Sequence, residues 1–184
     1  MARLSDVVRN GSLTLYLVRH AYAGHADAAQ WPDDAARPLT PKGRRTFRAA
    51  ARGLRRIVPD VELVLSSGYS RAWATAEVLH DDTGWPEPRE CTPLEAPQPV
   101  SRTLEALRER AEGSIALVGH EPHLSTLASV LCAGSEHGFR MQLKKGAVAV
   151  VRVDAEVGPG AGYLLWAAAP KILRELDSTS SGGR

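Results

Sequence analysis

The chain has 184 residues, 43% of them apolar and 24% charged, the proportions of a globular protein long enough to bury one core without disulfides. The formal charge of +2, from 23 basic and 21 acidic residues interspersed along the chain, gives no support for nucleic acid or a membrane as a partner. The only cysteines, Cys91 and Cys132, form no CxxC, and the beginning carries no apolar run ending in a small-residue cleavage site; a reducing, cytoplasmic setting is expected, with every apolar stretch too short to span a bilayer.

Leu13-Thr-Leu-Tyr-Leu-Val18 is a short β-prone run with Arg19-His20 at its C-terminal end. Residues 21–39 have no steady period, and Gly24, Pro32, Asp33-Asp34 and Pro38 mark them as a long surface loop. Thr40-Pro41 predicts a helix start, with Thr40 as N-cap and Pro41 at the first helical position. Along that helix Phe47, Ala51, Leu54 and Val58 share one face and Arg44, Arg48, Arg52 and Arg55 the other, a 3.6-residue period that ends at Pro59. Arginine is a good helix former with a long stem, so this basic face is expected to be solvated rather than to grip a polyanion.

Val61 to Leu65 predicts the next strand, followed by Ser66-Ser67-Gly68 and a helix over 70–79. Trp85 is expected to open another short strand before a Pro-rich loop that carries Glu90 and Glu95. A helix is predicted over 101–110, a strand over Ser114-Ile-Ala-Leu-Val118 leading into Gly119-His120, and a helix from Pro122 that buries Leu124, Leu127, Ala128 and Leu131. The runs 147–153 and 163–168 read as strands parted by the Gly158-Pro-Gly160 turn, and a last helix starts near Pro170. Alternating strands and helices predict an α/β fold, a three-layer α/β/α sandwich whose mainly parallel central sheet is made mixed by the last two strands. The expected organisation is an N-terminal extension over 1–12, one domain over 13–177 and a flexible tail over 178–184.

Three segments share one design, an apolar strand that ends in ionisable residues: Val18-Arg19-His20, Leu65-Ser-Ser-Gly-Tyr-Ser-Arg71, and Leu117-Val-Gly-His120. Ligands bind beyond the C-terminal ends of the strands in an open parallel sheet, so these residues are expected to meet in one pocket. Two arginines and two histidines with no carboxylate among them favour an anionic substrate. Phosphate fits: a guanidinium matches its oxygens in paired hydrogen bonds, and a neutral histidine can attack phosphorus and hold the group as a phosphoramidate that water then hydrolyses. A second histidine can stabilise the transferring oxygens. Singly, Arg71 reads as a surface arginine and each histidine as a satisfied structural one; their joint placement at strand ends is what points to chemistry.

The same residues carry a family resemblance. Leu15-Tyr-Leu-Val-Arg19-His20-Ala21 resembles the Arg-His-Gly signature of the histidine phosphatase superfamily, the phosphoglycerate mutase-like fold, with Ala21 where the family has glycine. Arg37-Pro-Leu-Thr40 and the small size resemble its short, SixA-like phosphohistidine phosphatase branch. Ser66-Ser67-Gly68-Tyr69-Ser70-Arg71-Ala72 is similar to the family's serine-rich turn and Arg-Ala helix, and Val118-Gly119-His120-Glu121-Pro122 to its second histidine motif. The resemblance spans about residues 13 to 176. It implies His20 as nucleophile, Arg19 and Arg71 as phosphate ligands, His120 as the second pocket histidine, a mixed sheet, and no metal or organic cofactor. It also makes Arg89-Glu90-Cys91-Thr92-Pro93-Leu94 the best local match to the branch's Glu-Leu-Thr-Pro segment, hence Glu90 as the candidate proton donor and Glu121 as its rival. The implied partners are a phosphorylated small molecule or a phosphohistidine-bearing protein.

Three other readings have less in their favour. A phosphomutase needs insertions over the site for which this chain has little spare length. A non-catalytic phospho-ligand binding module would need no nucleophile. A metal site at His120-x-x-His123 has Pro122 within it and lacks the HExxH pattern. An attacking histidine must be neutral at the nitrogen that meets phosphorus, so the other ring nitrogen of His20 is expected to donate to a backbone carbonyl. His120 is expected to be most useful as a cation.

Overall fold

The computed structural model describes residues 11–154 and 156–178, so all but the end of the expected extension and nearly all of the expected tail lie outside the described residues. A six-stranded sheet has the order β3-β2-β4-β1-β5-β6, built from β1 (Leu13–Arg19), β2 (Leu63–Ser66), β3 (Arg89–Glu90), β4 (Ser114–Gly119), β5 (Val148–Val153) and β6 (Gly162–Ala168). The strands β1 to β4 run parallel, β5 is antiparallel to β1, and β6 is antiparallel to β5. The mixed sheet expected from the sequence is therefore present, with the antiparallel neighbour where the Gly158-Pro-Gly160 turn allows a direct return.

Alternation along the central strands divides the core. Leu13, Leu15 and Leu17 of β1, with Ile115 and Leu117 of β4, pack against α3 (Val100–Arg108) and α4 (His123–Ala133) through Leu104, Leu107, Leu124 and Leu127. Val18, Val64, Ala116 and Val118 face the other way, onto Phe47 and Leu54 of α1 (Pro41–Arg55), Leu79 of α2 (Ser70–Thr83) and Leu173 of α5 (Pro170–Ser178). Two apolar layers thus sandwich the sheet between helices. Among the described residues no helix is long and apolar enough to cross a membrane.

Thr40 caps α1 as expected, its hydroxyl accepting from the Gly43 N–H at 2.9 Å with Pro41 in the first turn. The arginine face of α1 is exposed, as expected, and it is also ion-paired: Arg48 Nε lies 2.9 Å and Arg52 Nη1 3.4 Å from the carboxylate of Asp82, whose side chain is only 7% exposed, and Arg52 also meets Asp177 at 3.0 Å. Acids on α2 and α5 flank this face, so the arginines bind the helix layer together while their stems stay partly in water. One expectation is corrected: Trp85 opens no strand. Its ring is buried 5.9 Å from that of Tyr16, its Nε1 donates to Val58 O, and its backbone is bonded to Thr83 and His80, so nothing remains to join a ladder. Its predecessor, α2, runs on to Thr83 and ends at Gly84, whose φ of +79° serves the left-handed cap.

Gly53 marks the closest approach of α1 to α5. A Cβ there would fall within the radius of the Leu173 carbonyl oxygen, which is backbone and cannot swing away. Alanine would gain about 1 kcal/mol of helix propensity, but the forced separation of two packed helices costs about 1–3 kcal/mol. Gly53→Ala is expected to lower the urea midpoint; an unchanged or raised midpoint would show that α5 shifts freely.

Candidate active site

Register places the ionisable residues. Arg19 pairs with Gly119, the His20 N–H donates to Gly119 O at 3.0 Å, and the Ser67 N–H donates to Val118 O at 3.0 Å. The C-terminal ends of β1, β4 and β2 therefore deliver His20, His120 and the Ser67 turn to one edge of the sheet. The two imidazoles lie with centroids 5.1 Å apart, both nearly buried.

His20 is oriented by its own backbone: Nδ1 lies 2.7 Å from Ala21 O. A carbonyl can only accept, so the proton sits on Nδ1 and the lone pair on Nε2. The next peptide is tied to α2, with the Ala21 N–H donating to Thr75 Oγ1 and that hydroxyl donating to Arg71 O. His120 Nε2 is 3.0 Å from Ser67 Oγ, which also accepts from the Tyr69 N–H. The Tyr69 ring packs 4.9 Å from His120 and lies under the Arg71 guanidinium.

Arg71 enters from the first turn of α2 and is nearly buried. Its Nη1 donates to Asp34 O at 2.6 Å and its Nη2 meets the Asp34 carboxylate at 2.9 Å. Asp34 also accepts from Arg37 Nε at 2.7 Å, so one acid of the long loop holds two guanidiniums. Arg19 Nη1 donates to Leu143 O, and the Leu143 N–H donates to Glu121 Oε1. Among the described residues four buried side-chain polar atoms lack a hydrogen-bond partner, and three of them, Arg19 Nε, Arg71 Nε and His120 Nδ1, belong to this cluster. Such a concentration of unmatched polar atoms is costly unless a ligand oxygen answers them.

Burial dominates the electrostatics. The pKa of His20 is lowered to about 3, first by desolvation and then by His120, Arg71 and Arg19, against the raising effect of the Ala21 carbonyl. That of His120 is likewise lowered to about 3 by desolvation and by Arg71, with Asp34 opposing. Both rings are neutral at pH 7, which suits a nucleophile and differs from the cation expected at His120. Lys145 is lowered by desolvation and by the fields of Arg19, Arg37 and Arg71, so its ammonium shares their neighbourhood.

Arg19, His20, Arg71 and His120 are thus brought together, as the strand-end pattern suggested. Glu90 stands at the same edge, paired in register with Ser66 and exposed at the rim, with its carboxylate and that of Glu95 beside Gly68. Glu121 has both oxygens engaged, one by Leu143 and the other by Ser125, and serves to pin the loop that holds Arg19. His123 turns its Nε2 to Thr103 at 2.8 Å and does not converge with His120. The sequence reading missed Asp34, Ser67 and Lys145 as site residues and took Arg37 only as a family marker. Ser67 had a signal in its place at a strand end; the others sit on loops without periodicity.

Comparison with known proteins bears on this arrangement. Residues 15–96 match the model of the histidine phosphatase superfamily (branch 1). The chain is 30% identical over 166 residues to the phosphohistidine phosphatase SixA of Escherichia coli, covering 97% of it and 88% of this chain. The chain belongs to the histidine phosphatase superfamily. It is 33% identical over 147 residues to an uncharacterized protein of Picosynechococcus, covering 87% of that protein and 78% of this chain. Its fold superposes on a solved protein histidine phosphatase SixA complexed with tungstate with a TM-score of 0.76 at 25% identity, over 88% of this chain and 99% of that one. A putative SixA from Nakamurella gives 0.68 at 26% identity, over 88% of this chain and 98% of that one. This histidine phosphatase is of the SixA-like branch, an enzyme of the hydrolase class.

Neutral burial of the two histidines gives stability a definite pH dependence. Each titrates near 6.5 in the unfolded chain and near 3 in the folded one. Between those values the unfolded state binds the extra protons, so stability is full above about pH 6.5 and falls as pH drops through that window. The expected loss approaches about 1.4 kcal/mol per pH unit for each histidine. Urea unfolding at pH 7, 6 and 5 should show it, and His120→Asn should reduce the slope by about one proton. An unaltered slope in that variant would mean that His120 is charged in the fold.

Proposed function

We propose that this histidine phosphatase hydrolyses phosphomonoesters or protein phosphohistidine through a phosphoryl group carried on His20, in a reducing cytoplasmic setting suited to its free cysteines. The observation that carries the reading is the pair of neutral imidazoles set among Arg19 and Arg71, with an unshared pair on His20 Nε2. The names of the relatives add support: one is a phosphohistidine phosphatase and another binds tungstate, a tetrahedral oxyanion like phosphate.

In the proposed reaction Arg19 and Arg71 neutralise the negative charge carried on the phosphoryl oxygens of the dianionic substrate as the group transfers. His20 Nε2 attacks phosphorus, forming the P–N bond as the bond to the leaving group breaks. The proton stays on Nδ1, held by the Ala21 carbonyl, and the resulting imidazolium is stabilised by the phosphoryl charge it carries. A bound dianion favours protonation of His120, opposing the burial that keeps it neutral, so His120 can then donate to a phosphoryl oxygen. With a phosphomonoester, Glu90 in its protonated form gives its proton to the leaving oxygen and, then ionised, takes one from the water that attacks the phosphohistidine intermediate; with protein phosphohistidine the leaving atom is an imidazole nitrogen. Breaking the P–N bond releases phosphate and returns neutral His20. Positive charge comes from the arginines, so the route asks for no metal.

The expected result with p-nitrophenyl phosphate is turnover that persists with chelator present and an acid-labile, base-stable phosphoenzyme in quenched reactions. His20→Ala should lower kcat by about 10³-fold or more with the fold intact and leave no phosphoenzyme. A folded His20→Ala protein with near-normal rate would overturn the reading. For Glu90, the leaving group is diagnostic. Glu90→Gln should slow an alkyl phosphoester on the order of 10²-fold and p-nitrophenyl phosphate hardly at all, because nitrophenolate departs without a proton. Equal losses for both esters, or none, would remove Glu90 from the mechanism.

A further inference from the structure

The rim of the site carries opposite charge on its two sides. Across the sheet order, Glu90 ends β3 on one flank, and Lys145 precedes β5 on the other, with His120 and His20 between them. On the basic flank an open cleft of about 370 Å³ is lined by Ala21, Lys42, Phe47, Lys145, Gly146 and Pro170, with Tyr22 at its lip. It shares a wall with the phosphoryl site: Ala21 is the residue after His20, and the Gly146 N–H donates to both Arg19 O and His20 O.

Two lysines line this cleft, Lys42 on α1 and Lys145 ahead of β5, and like Arg45 and Arg55 of α1 they have no carboxylate partner among the described residues. Arg44, Arg48 and Arg52 of α1 each face a carboxylate on α2 or α5. Among the described residues neither Lys42 nor Lys145 is in an ion pair. Lys145 Nζ instead donates to Gly24 O at 3.1 Å and rests over the Tyr22 ring at 4.8 Å. Arg37 also reaches the Gly24 carbonyl, and Arg37 shares Asp34 with Arg71. A row of cations therefore leads from the phosphoryl site out to the cleft, with Asp34 as the acid that bridges it. A phosphate dianion beside Arg19 and Arg71 leaves the charge at Lys42 and Lys145 unanswered. An apolar floor with two unmatched cations at its edge is the form of a subsite for a small amphipathic anion.

We propose that Lys42 and Lys145 form a second anion subsite, and that the preferred substrates are phosphate monoesters whose leaving group combines an apolar body with a second anionic group. This rests on the phosphatase reading above and narrows its substrate class. The body would lie on Phe47, Ala21 and Pro170, and the second anion would meet the two ammonium groups while Glu90 serves the ester oxygen from the other flank.

A matched pair of esters tests the subsite, phenyl phosphate and 3-(carboxymethyl)phenyl phosphate, whose leaving groups are similar phenols. The wild-type enzyme should prefer the carboxylated ester by about tenfold in kcat/KM, mostly through KM, as expected for one charge-assisted contact in a partly exposed site. The double variant K42Q/K145Q should erase that preference, and K42R/K145R should keep it. No preference in the wild type, or equal losses for both esters in K42Q/K145Q, would overturn the subsite. Benzylphosphonate and its 3-carboxymethyl derivative, which cannot be hydrolysed, give the same comparison as binding constants by calorimetry. If neither ester is turned over, the phosphatase reading fails, and the subsite is then judged by the phosphonates alone: a tenfold preference lost in K42Q/K145Q sustains it, and equal affinities refute it.

Discussion

The parallel pairing of β1 with β4 governs the chemistry available at this site. Arg19 opposite Gly119 sets His20 beside His120, and both imidazoles emerge one residue beyond the last paired rung. A slip of one residue would turn every side chain of a strand to the other face. That slip is prevented by the core: Leu13, Leu15 and Leu17 fill one layer, and Val18 with Val64 and Val118 the other. The apolar alternation of a seven-residue strand thus fixes the distance between two histidines that lie far apart in the chain.

That placement has an energetic consequence. Both histidines, Arg71 and Ser67 are nearly buried, and the chain keeps them compatible with folding by different means. The histidines give up their charge. Arg71 keeps its charge by leaning on Asp34 and on the Tyr69 ring, and its pKa is lowered chiefly by burial with Asp34 opposing. Asp34 is itself held low in pKa, first by the hydrogen bond from Arg37 and then by Arg71, against its own slight burial. A loop acid that serves two guanidiniums keeps them oriented without neutralising the site, since two cations share one negative charge.

The legible and illegible parts of the sequence divide along the same physical line. Strands and helices carry periodicity, so β1, α1, α4 and the last two strands were visible, and with them His20, Arg19, Arg71 and His120 at strand ends. Thr40-Pro41 was legible because capping is local chemistry. Trp85 was misread because β-propensity records suitability for a half-buried surface, and this indole is wholly enclosed between α1, α2 and Tyr16. The exposure of the arginine face of α1 was legible, but not its acidic partners, Asp82 and Asp177, which lie on other helices whose packing no local pattern reports. Asp34, Arg37 and Lys145 sit on loops, where a residue's neighbours are set by tertiary closure alone.

Loop residues also shape the surroundings of the strand-end cluster. In the proposed reaction the histidines and arginines at the strand ends hold only the phosphoryl group, so discrimination would come from what surrounds them. Here the surroundings are unequal in charge and in texture. The β3 flank offers carboxylates beside the Gly68 turn, while the β5 flank offers lysine over an apolar floor of Phe47 and Pro170. Glu121 gives its oxygens to Leu143 and Ser125, which stiffens the segment leading to Lys145 and holds Arg19 at its other side. One clamp therefore reaches both Arg19 and the basic flank, so on the proposed reading a change in that loop would alter binding of the phosphoryl group and of the body attached to it together.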